Sequence, residues 1–454
     1  MSASRRLSRR GRAAGLALSA LAGLGCAHRP PGPDAGSRPL YAASFPVAEG
    51  GEVLAALTVT CEACSWGEPG REAAVLAVHV DGRYSQDVPL TQGRGPATYR
   101  VLLGPLGAGT HRVEVTRDAL SAPGAGALTV DALLRPVLPE AAEAAALAHA
   151  PILLQRANAV GRFTDVPLLM YYESEPAGGG RTRLLYTVIF SHEDGGTPAD
   201  RLMATWGRLT DIELMYAVVL DTAGVIVEET YQGREHRITP FRGRREGRHP
   251  LLWVVTDNNM VADRGPTRRR YRPAPERADL RGVSREAVMD AHPWTYRVMA
   301  EEVRREGRVA ESAPLGSGTV ADPGRYVFLE GCADVHDAQL AFDVAVGPGA
   351  TEWVASDGGD ARFRVSRGGC FRAAAALPAG ASVRALRLRA HTRPPRKGEA
   401  PLPAGAGWAR LTRVNRLFRL GEGLVPGPDL LRWQGEARLQ GEAAGLEIAV
   451  PGAP

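Results

Sequence analysis

EVLAALTVTC (residues 52–61) and AVLAVHVDGRY (residues 74–84) decide the fold. Both are rich in β-branched and aliphatic residues without the i, i+3, i+4 spacing of an amphipathic helix, and the second runs through Asp81-Gly82, a favoured short hairpin turn. DVPLTQ (87–92), TYRVLLGPL (98–106) and HRVEVTR (111–117) follow at similar spacing. Residues 41–135 are therefore predicted to form an all-β sandwich of seven or eight strands. On this reading His79 and His111 are outward-facing strand residues.

The pattern changes beyond residue 135. PEAAEAAALAHA (139–150) predicts a connecting helix with Pro139 in its first turn. Residues 136–312 then read as a central α+β domain, with strands at LLMYYESE (168–175), RLLYTVIFSH (183–192), IELMYAVVLD (212–221), VIVEETY (225–231) and LLWVVT (251–256). Helices are expected at ADRLMATWGR (199–208) and from Ser284 to Arg308, where Ser284 would cap and Pro293 must kink or restart the helix. Residues 313–454 return to Gly-punctuated strand runs, among them RYVFLEG, AFDVAVG, ARFRVSRG, SVRALRLRAHT, WARLTRVNRLFRL and LLRWQGEARL, and predict a C-terminal β-rich domain. PPRKGEAPLPAGAG (394–407) reads as an exposed loop. The whole is mainly β.

Composition narrows the class. With 454 residues, 44% hydrophobic and 23% charged, the chain has apolar material for several cores, and wholesale disorder or a coiled-coil rod is excluded. No apolar stretch beyond the first thirty residues approaches the roughly 18 needed to span a bilayer. A net charge of +5 comes almost wholly from arginine, Lys397 being the single lysine, and acids are interspersed throughout. Nucleic acid is therefore not expected as a partner. Two local clusters, Arg242 to Arg248 and Arg268 to Arg272, read as solvated loops, with an anion site as the alternative.

The N-terminus gives the most specific motif. Arg5, Arg6, Arg9, Arg10 and Arg12 precede the apolar run AAGLALSALAGLG (13–25), which ends at Cys26. This resembles a bacterial lipoprotein signal peptide over residues 1–26. The resemblance implies removal of residues 1–25, lipid attachment at Cys26, residues 26–40 as a Pro/Gly-rich tether, and a cell-envelope address on a membrane anchor; Gly23, where a large aliphatic residue is usual, leaves plain cleavage and secretion as the alternative. Four cysteines remain. Cys332 and Cys370 are expected to form a bridge, and Cys61 with Cys64 a local one, with redox or metal roles as alternatives for that CxxC.

Chemistry-bearing residues gather in the central third. RLLYTVIF runs into Ser191, His192, Glu193, Asp194, Gly195 and Gly196, and Asp211 and Glu213 share one strand face. Glu235-His236, His249 and the run Asp257-Asn258-Asn259 follow. His192, Asp194 and Asp257 could ligate a divalent metal, while His192, Glu193, Asp211 and Asp257 could act as paired carboxylates with a base. The alternatives are a hairpin turn at 193–196, an Asx turn at 257–259, caps at Asp290 and His292, and core positions for Tyr171, Tyr172, Trp206, Trp253 and Trp294. No metalloprotease, nucleotide-loop, dinucleotide or nucleophile-elbow motif is present. The leading expectation is an envelope binding protein for an extracellular or envelope ligand such as carbohydrate; the rival is a secreted hydrolase, which requires its four residues to converge, and a third reading is a structural envelope protein.

Overall fold

The computed structural model describes residues 38–451 except 194, 348, 350, 351 and 442–444. The segment read as a signal peptide, Cys26, most of the segment read as a tether, and Asp194 lie outside the described residues. The fold is mainly β throughout, as the strand patterns imply.

Seven strands build the N-terminal sandwich: β1 (Tyr41–Val47), β2 (Gly51–Cys61), β3 (Val75–Val80), β4 (Arg83–Pro89), β5 (Ala97–Leu106), β6 (Gly109–Arg117) and β7 (Leu128–Pro136). They form two antiparallel sheets, ordered β1-β6-β3-β4 and β5-β2-β7. Alternation does the work along β2, where Leu57, Val59 and Cys61 are buried while Thr58 is exposed. His79 differs from its expected place: β3 is buried along its whole length and His79 is 2% exposed. A later part of the chain lies over that face. His111 does sit at a half-exposed strand end, with Nδ1 2.7 Å from Asp81 Oδ2.

A segment from far along the chain completes this sandwich. The Leu102 amide donates to the Arg272 carbonyl at 2.9 Å, and the Ala274 amide to the Arg100 carbonyl at 2.9 Å. Arg269 Nη1 reaches Asp87 at 3.0 Å and Asp118 at 2.9 Å. Gly104 has φ +111°, and a Cβ there would stand 2.7 Å from the Arg272 guanidinium, so only glycine admits this buried arginine.

The central unit opens with α1 (Ala144–His149), β8 (Ile152–Leu154) and α2 (Ala157–Arg162). The predicted helix at 139–150 is thus shorter and begins after Pro139. β9 (Pro167–Pro176) and β10 (Thr182–Phe190) form the hairpin read from PAGGGRT. α3 (Ala199–Trp206) separates β10 from β11 (Asp211–Leu220), so residues 193–196 open a helical connection instead of a hairpin turn. β12 (Ile226–Gln232) and β13 (Ile238–Pro240) extend this sheet on one side. β14 (Arg245–Glu246), β15 (His249–Val254), β16 (Val261–Ala262) and β17 (Arg270–Tyr271) join β8 in a small second sheet, and β18 (Glu276–Arg277) adds to β9 in parallel. α4 (Ala287–Ala291) and α5 (Trp294–Arg305) are divided at Pro293, which has no amide hydrogen to continue the first helix. Ser284 makes no side-chain cap; Glu286 precedes α4 without a capping bond. Asp290 is no cap either, since its carboxylate binds Arg372 and Tyr296.

The C-terminal unit pairs two four-stranded sheets. β19 (Tyr326–His336), β20 (Ala338–Val346), β21 (Glu352–Ala355), β22 (Gly369–Ala376), β23 (Val383–Thr392), β24 (Trp408–Arg419), β25 (Leu431–Gln440) and β26 (Leu446–Ala449) are ordered β22-β19-β24-β25 and β21-β20-β23-β26. ARFRVSRG, expected as a strand, forms a single helical turn at Ala361–Phe363. The strand is instead GCFRAAAA, whose alanines carry little intrinsic strand preference and gain it from packing. Cys332 and Cys370 are cross-strand partners and are disulfide-bonded; Cys61 and Cys64 form the second bridge.

Both faces of β19 are buried. Val327 and Leu329 enter the core of the C-terminal unit, while Tyr326 and Phe328 join Tyr296, Met299 and Val303 of α5 in another. The N-terminal sandwich, by contrast, shares one continuous apolar core with the central sheet, running from Phe45 to Val298.

Candidate functional site

Four residues read from the sequence meet at one end of the central sheet. His192 and Glu193 leave the end of β10, Asp211 begins the antiparallel neighbour β11, and Asp257 lies in the turn after β15. Asn259 links them. At φ +54° it directs its side-chain amide to within 3.1 Å of Asp211 Oδ2, 3.3 Å of Asp165 Oδ1 and 3.4 Å of the His192 carbonyl. Arg156 then spans Asp165 and Asp257, with Nη2 2.6 Å from Asp165 Oδ2. The Gly195 amide donates to the Asp257 carbonyl at 3.0 Å, and Glu193 Oε1 accepts from the Thr197 amide at 2.8 Å. A Cβ on Gly195 would fall 2.6 Å from Asp257 Cβ, and one on Gly196 2.5 Å from Glu193 Oε1, so the loop closes only with glycine.

Burial dominates the electrostatics here. It pushes the Asp211 carboxyl up to about 7; Glu213 adds to the rise, while Arg208 and the Asn259 hydrogen bond oppose it. Burial also raises Glu193, with Asp211 adding to it, and raises Glu213 against Arg285 and Arg208. Glu302 on α5, which accepts from Trp66 Nε1 at 2.9 Å, is likewise pushed up to about 7 by burial. Crowded carboxylates with elevated pKa values suit proton transfer near neutrality. His192, Asp211 and Asn259 are, however, at most 1% exposed, whereas the Asp257 side chain is 66% exposed. Among the described polar side chains of this cluster, that of Asp257 is the most exposed.

As a metal centre the arrangement is poor. Among the described residues no group of three or more His, Cys, Asp or Glu side chains is placed to hold an ion. The carboxylates already face Arg156, Asn259, Gln232 and Arg208. Asp194, the remaining metal candidate, lies outside the described residues. Elsewhere, His236 Nδ1 is 3.8 Å from Glu213, and buried His249 donates from Nδ1 to the Ala150 carbonyl at 2.8 Å, with Nε2 3.1 Å from Glu52. Asp165 and Arg156 complete the polar cluster and were missed: neither stands in a recognisable spacing.

The accessible site lies elsewhere, between the N-terminal sandwich and the central unit. A cleft of about 160 Å³ is lined by Tyr99 and Arg100 of β5, by residues 167–170 of β9, and by Tyr271, Glu276, His292 and Trp294. An adjoining groove of about 390 Å³ runs past Tyr171, Arg277, Asp279 and Ala287 and shares Glu276 and His292 with the first. Glu276 is therefore the divider. Its carboxylate stands 3.4 Å from His292 Nε2 and 3.5 Å from Arg100 Nη1, and the His292 hydrogen bond leads in holding it below the usual carboxylate range. Of the aromatic candidates, Tyr171, Tyr172 and Trp253 are buried core residues and Trp206 lies under the Arg367 guanidinium at 3.5 Å. Trp294 is half-buried at the cleft.

No protein-family model and no curated protein matches the chain. Among solved structures it is similar to one described as "EclA C-terminal domain; sugar-binding protein". The two share 13% identity and a TM-score of 0.18, over 21% of this chain and 66% of that one. The matched region is thus under two thirds of that structure's length, and the likeness carries no argument about fold or ligand.

Proposed function

We propose that the protein is an exported envelope protein, attached through Cys26, that binds a carbohydrate along the cleft and groove on either side of Glu276. The paired grooves carry the reading. They offer an elongated track with the half-buried Trp294 and Tyr99 as apolar surfaces for pyranose rings, and Arg100, Glu276, Arg277 and His292 as hydrogen-bonding groups for hydroxyls. An ionised Glu276 is acceptor-only, which suits it to sugar hydroxyl donors.

The test is calorimetric titration of the purified full chain with neutral and acidic oligosaccharides. Saturable binding that weakens about tenfold in Trp294→Ala, the loss of one aromatic contact, is expected. Absence of binding across both classes, or binding that Trp294→Ala leaves intact, overturns the reading. For the anchor, Cys26→Ser should release the protein from the membrane fraction, and an unchanged membrane fraction removes the lipoprotein assignment.

A second reading, hydrolysis at the buried cluster, is favoured by one observation: Asp211, Asp257 and the His192 carbonyl gather around Asn259 and Arg156, with Glu193 beside Asp211, while the His192 ring faces Arg308. In it Asp211, protonated up to about pH 7, is the proton donor, and Asp257 marks the entry side. Turnover of an oligosaccharide abolished by Asp211→Asn would establish it.

A further inference from the structure

The two arginine clusters singled out in the sequence come together in the structure, lining one groove. The groove has a volume of about 710 Å³ and lies between the β3–β4 hairpin of the N-terminal sandwich and the small sheet of β8, β14, β15 and β17. Arg83, Arg244, Arg268 and Arg270 line it, with Glu246 as the one acid among its lining residues. Glu246 is taken up by Arg270. The other three are exposed and form no ion pair among the described residues, so the groove carries a net excess of three cations.

A second, independent feature points to a ligand. His79 lines this groove at 2% exposure, and neither ring nitrogen has a hydrogen-bond partner among the described residues. Thr267 Oγ1 and Arg270 Nε, also at its wall, are buried and equally unpartnered. Buried polar atoms without partners are costly, so several on one wall are the mark of a surface completed by something else. The Tyr84 hydroxyl is occupied by the Arg270 amide at 3.2 Å, and Gly265 packs on the Trp253 ring, which closes the apolar faces to a stacking ligand. What remains on offer is positive charge and hydrogen-bond donors.

We infer that this groove is a binding site for a phosphoryl oxyanion, held by Arg83, Arg244 and Arg268 with His79 and Thr267 as donors at its wall. Guanidinium groups suit such oxyanions because their paired N–H groups match two oxygens at once. The site is separate from the Trp294 cleft, and neither depends on the other. Its phosphoryl group could be free or borne on a lipid headgroup, and the two sources are distinguished below.

The experiment titrates the full chain with inorganic pyrophosphate at low ionic strength, and in parallel measures co-sedimentation with phosphatidylglycerol vesicles against phosphatidylcholine ones, using the Cys26→Ser background for both. One-to-one pyrophosphate binding that weakens at least about tenfold in Arg244→Gln/Arg268→Gln is expected for a free phosphate. Sedimentation with phosphatidylglycerol alone, lost in the same variant, assigns the site to a headgroup. Both positions are exposed, so the double variant should retain its unfolding temperature; His79→Phe, which keeps a ring of similar size, gives the second reading and should weaken binding at the same site. No binding to either probe, or binding that the double variant leaves unchanged, overturns the proposal.

Discussion

The central unit meets its two β neighbours in opposite ways. Towards the N-terminal sandwich the cores are continuous, yet the boundary is cut by the Trp294 cleft and the arginine groove. Towards the C-terminal unit the contact is held by rings and charge: Phe328 and Phe418 stack 5.2 Å apart against Tyr296, and the buried Arg372 guanidinium binds Asp290, Glu330 and the Tyr296 hydroxyl, beside a groove of about 320 Å³ lined by Asp290, Glu330, Asn415 and Arg416. The difference teaches where to look for each property. The proposed ligand sites lie at the first boundary, and the buried charge network at the second.

The sharpest way to break this contrast is Arg372→Ala. It strands Glu330 as a buried charge without a cation and leaves Asp290 to Arg416 alone, and an unfolding free energy lower by about 3–5 kcal/mol is expected in chemical denaturation, with oligosaccharide binding retained. A loss under about 1 kcal/mol would mean that charge does not hold this boundary. Next comes Cys370→Ser. The Cys332–Cys370 bridge closes a loop with a sequence separation of 38, so its removal should cost about 3–4 kcal/mol in the loop-entropy account, against less for Cys64→Ser, whose bridge spans 3.

Asp211 tests the polar cluster between the two boundaries. Its folded pKa, about 7, lies above its unfolded value, so the folded state holds the extra proton and stability is full at low pH and declines as pH rises through this range. Asp211→Asn keeps an acceptor for Asn259 and should lessen that decline, leaving the share that Glu302 contributes. Thermal unfolding from pH 4 to 8 reads this directly. The smallest effect on stability belongs to Trp294→Ala, about 1 kcal/mol for a half-buried ring at a cleft, even though it should weaken binding most. A large loss of stability there would show the cleft to be structural.

Much of the β architecture was legible because strands in half-exposed sheets betray themselves by alternation, as β2 does. The exceptions have physical causes. β22 is alanine-rich and takes its strand state from two neighbouring cores, and β3 is covered on both faces, so its alternation says nothing about which side of His79 faces water. In the site, His192, Glu193, Asp211 and Asp257 were visible as polar residues at strand ends, and Asp165 and Arg156 were not. The Trp294 cleft was invisible for a plainer reason: Tyr99, Glu276 and Trp294 come from distant segments, and only packing brings them together.

The segment that completes the N-terminal sandwich sets an order of assembly. Gln86 and Arg272 are separated by 186 positions, and the Arg272 amide donates to the Gln86 side chain. Closing so long a loop adds little to the equilibrium cost, since loop entropy grows only with the logarithm of length, but it delays the contact. A chain emerging N-terminus first would hold an unfinished sandwich, with the Leu102 amide unpaired and Asp87 and Asp118 without Arg269, until residue 274 arrives. The first module to appear is thus among the last to become native, and its exposed strand edge in the interval is where a chaperone would be needed.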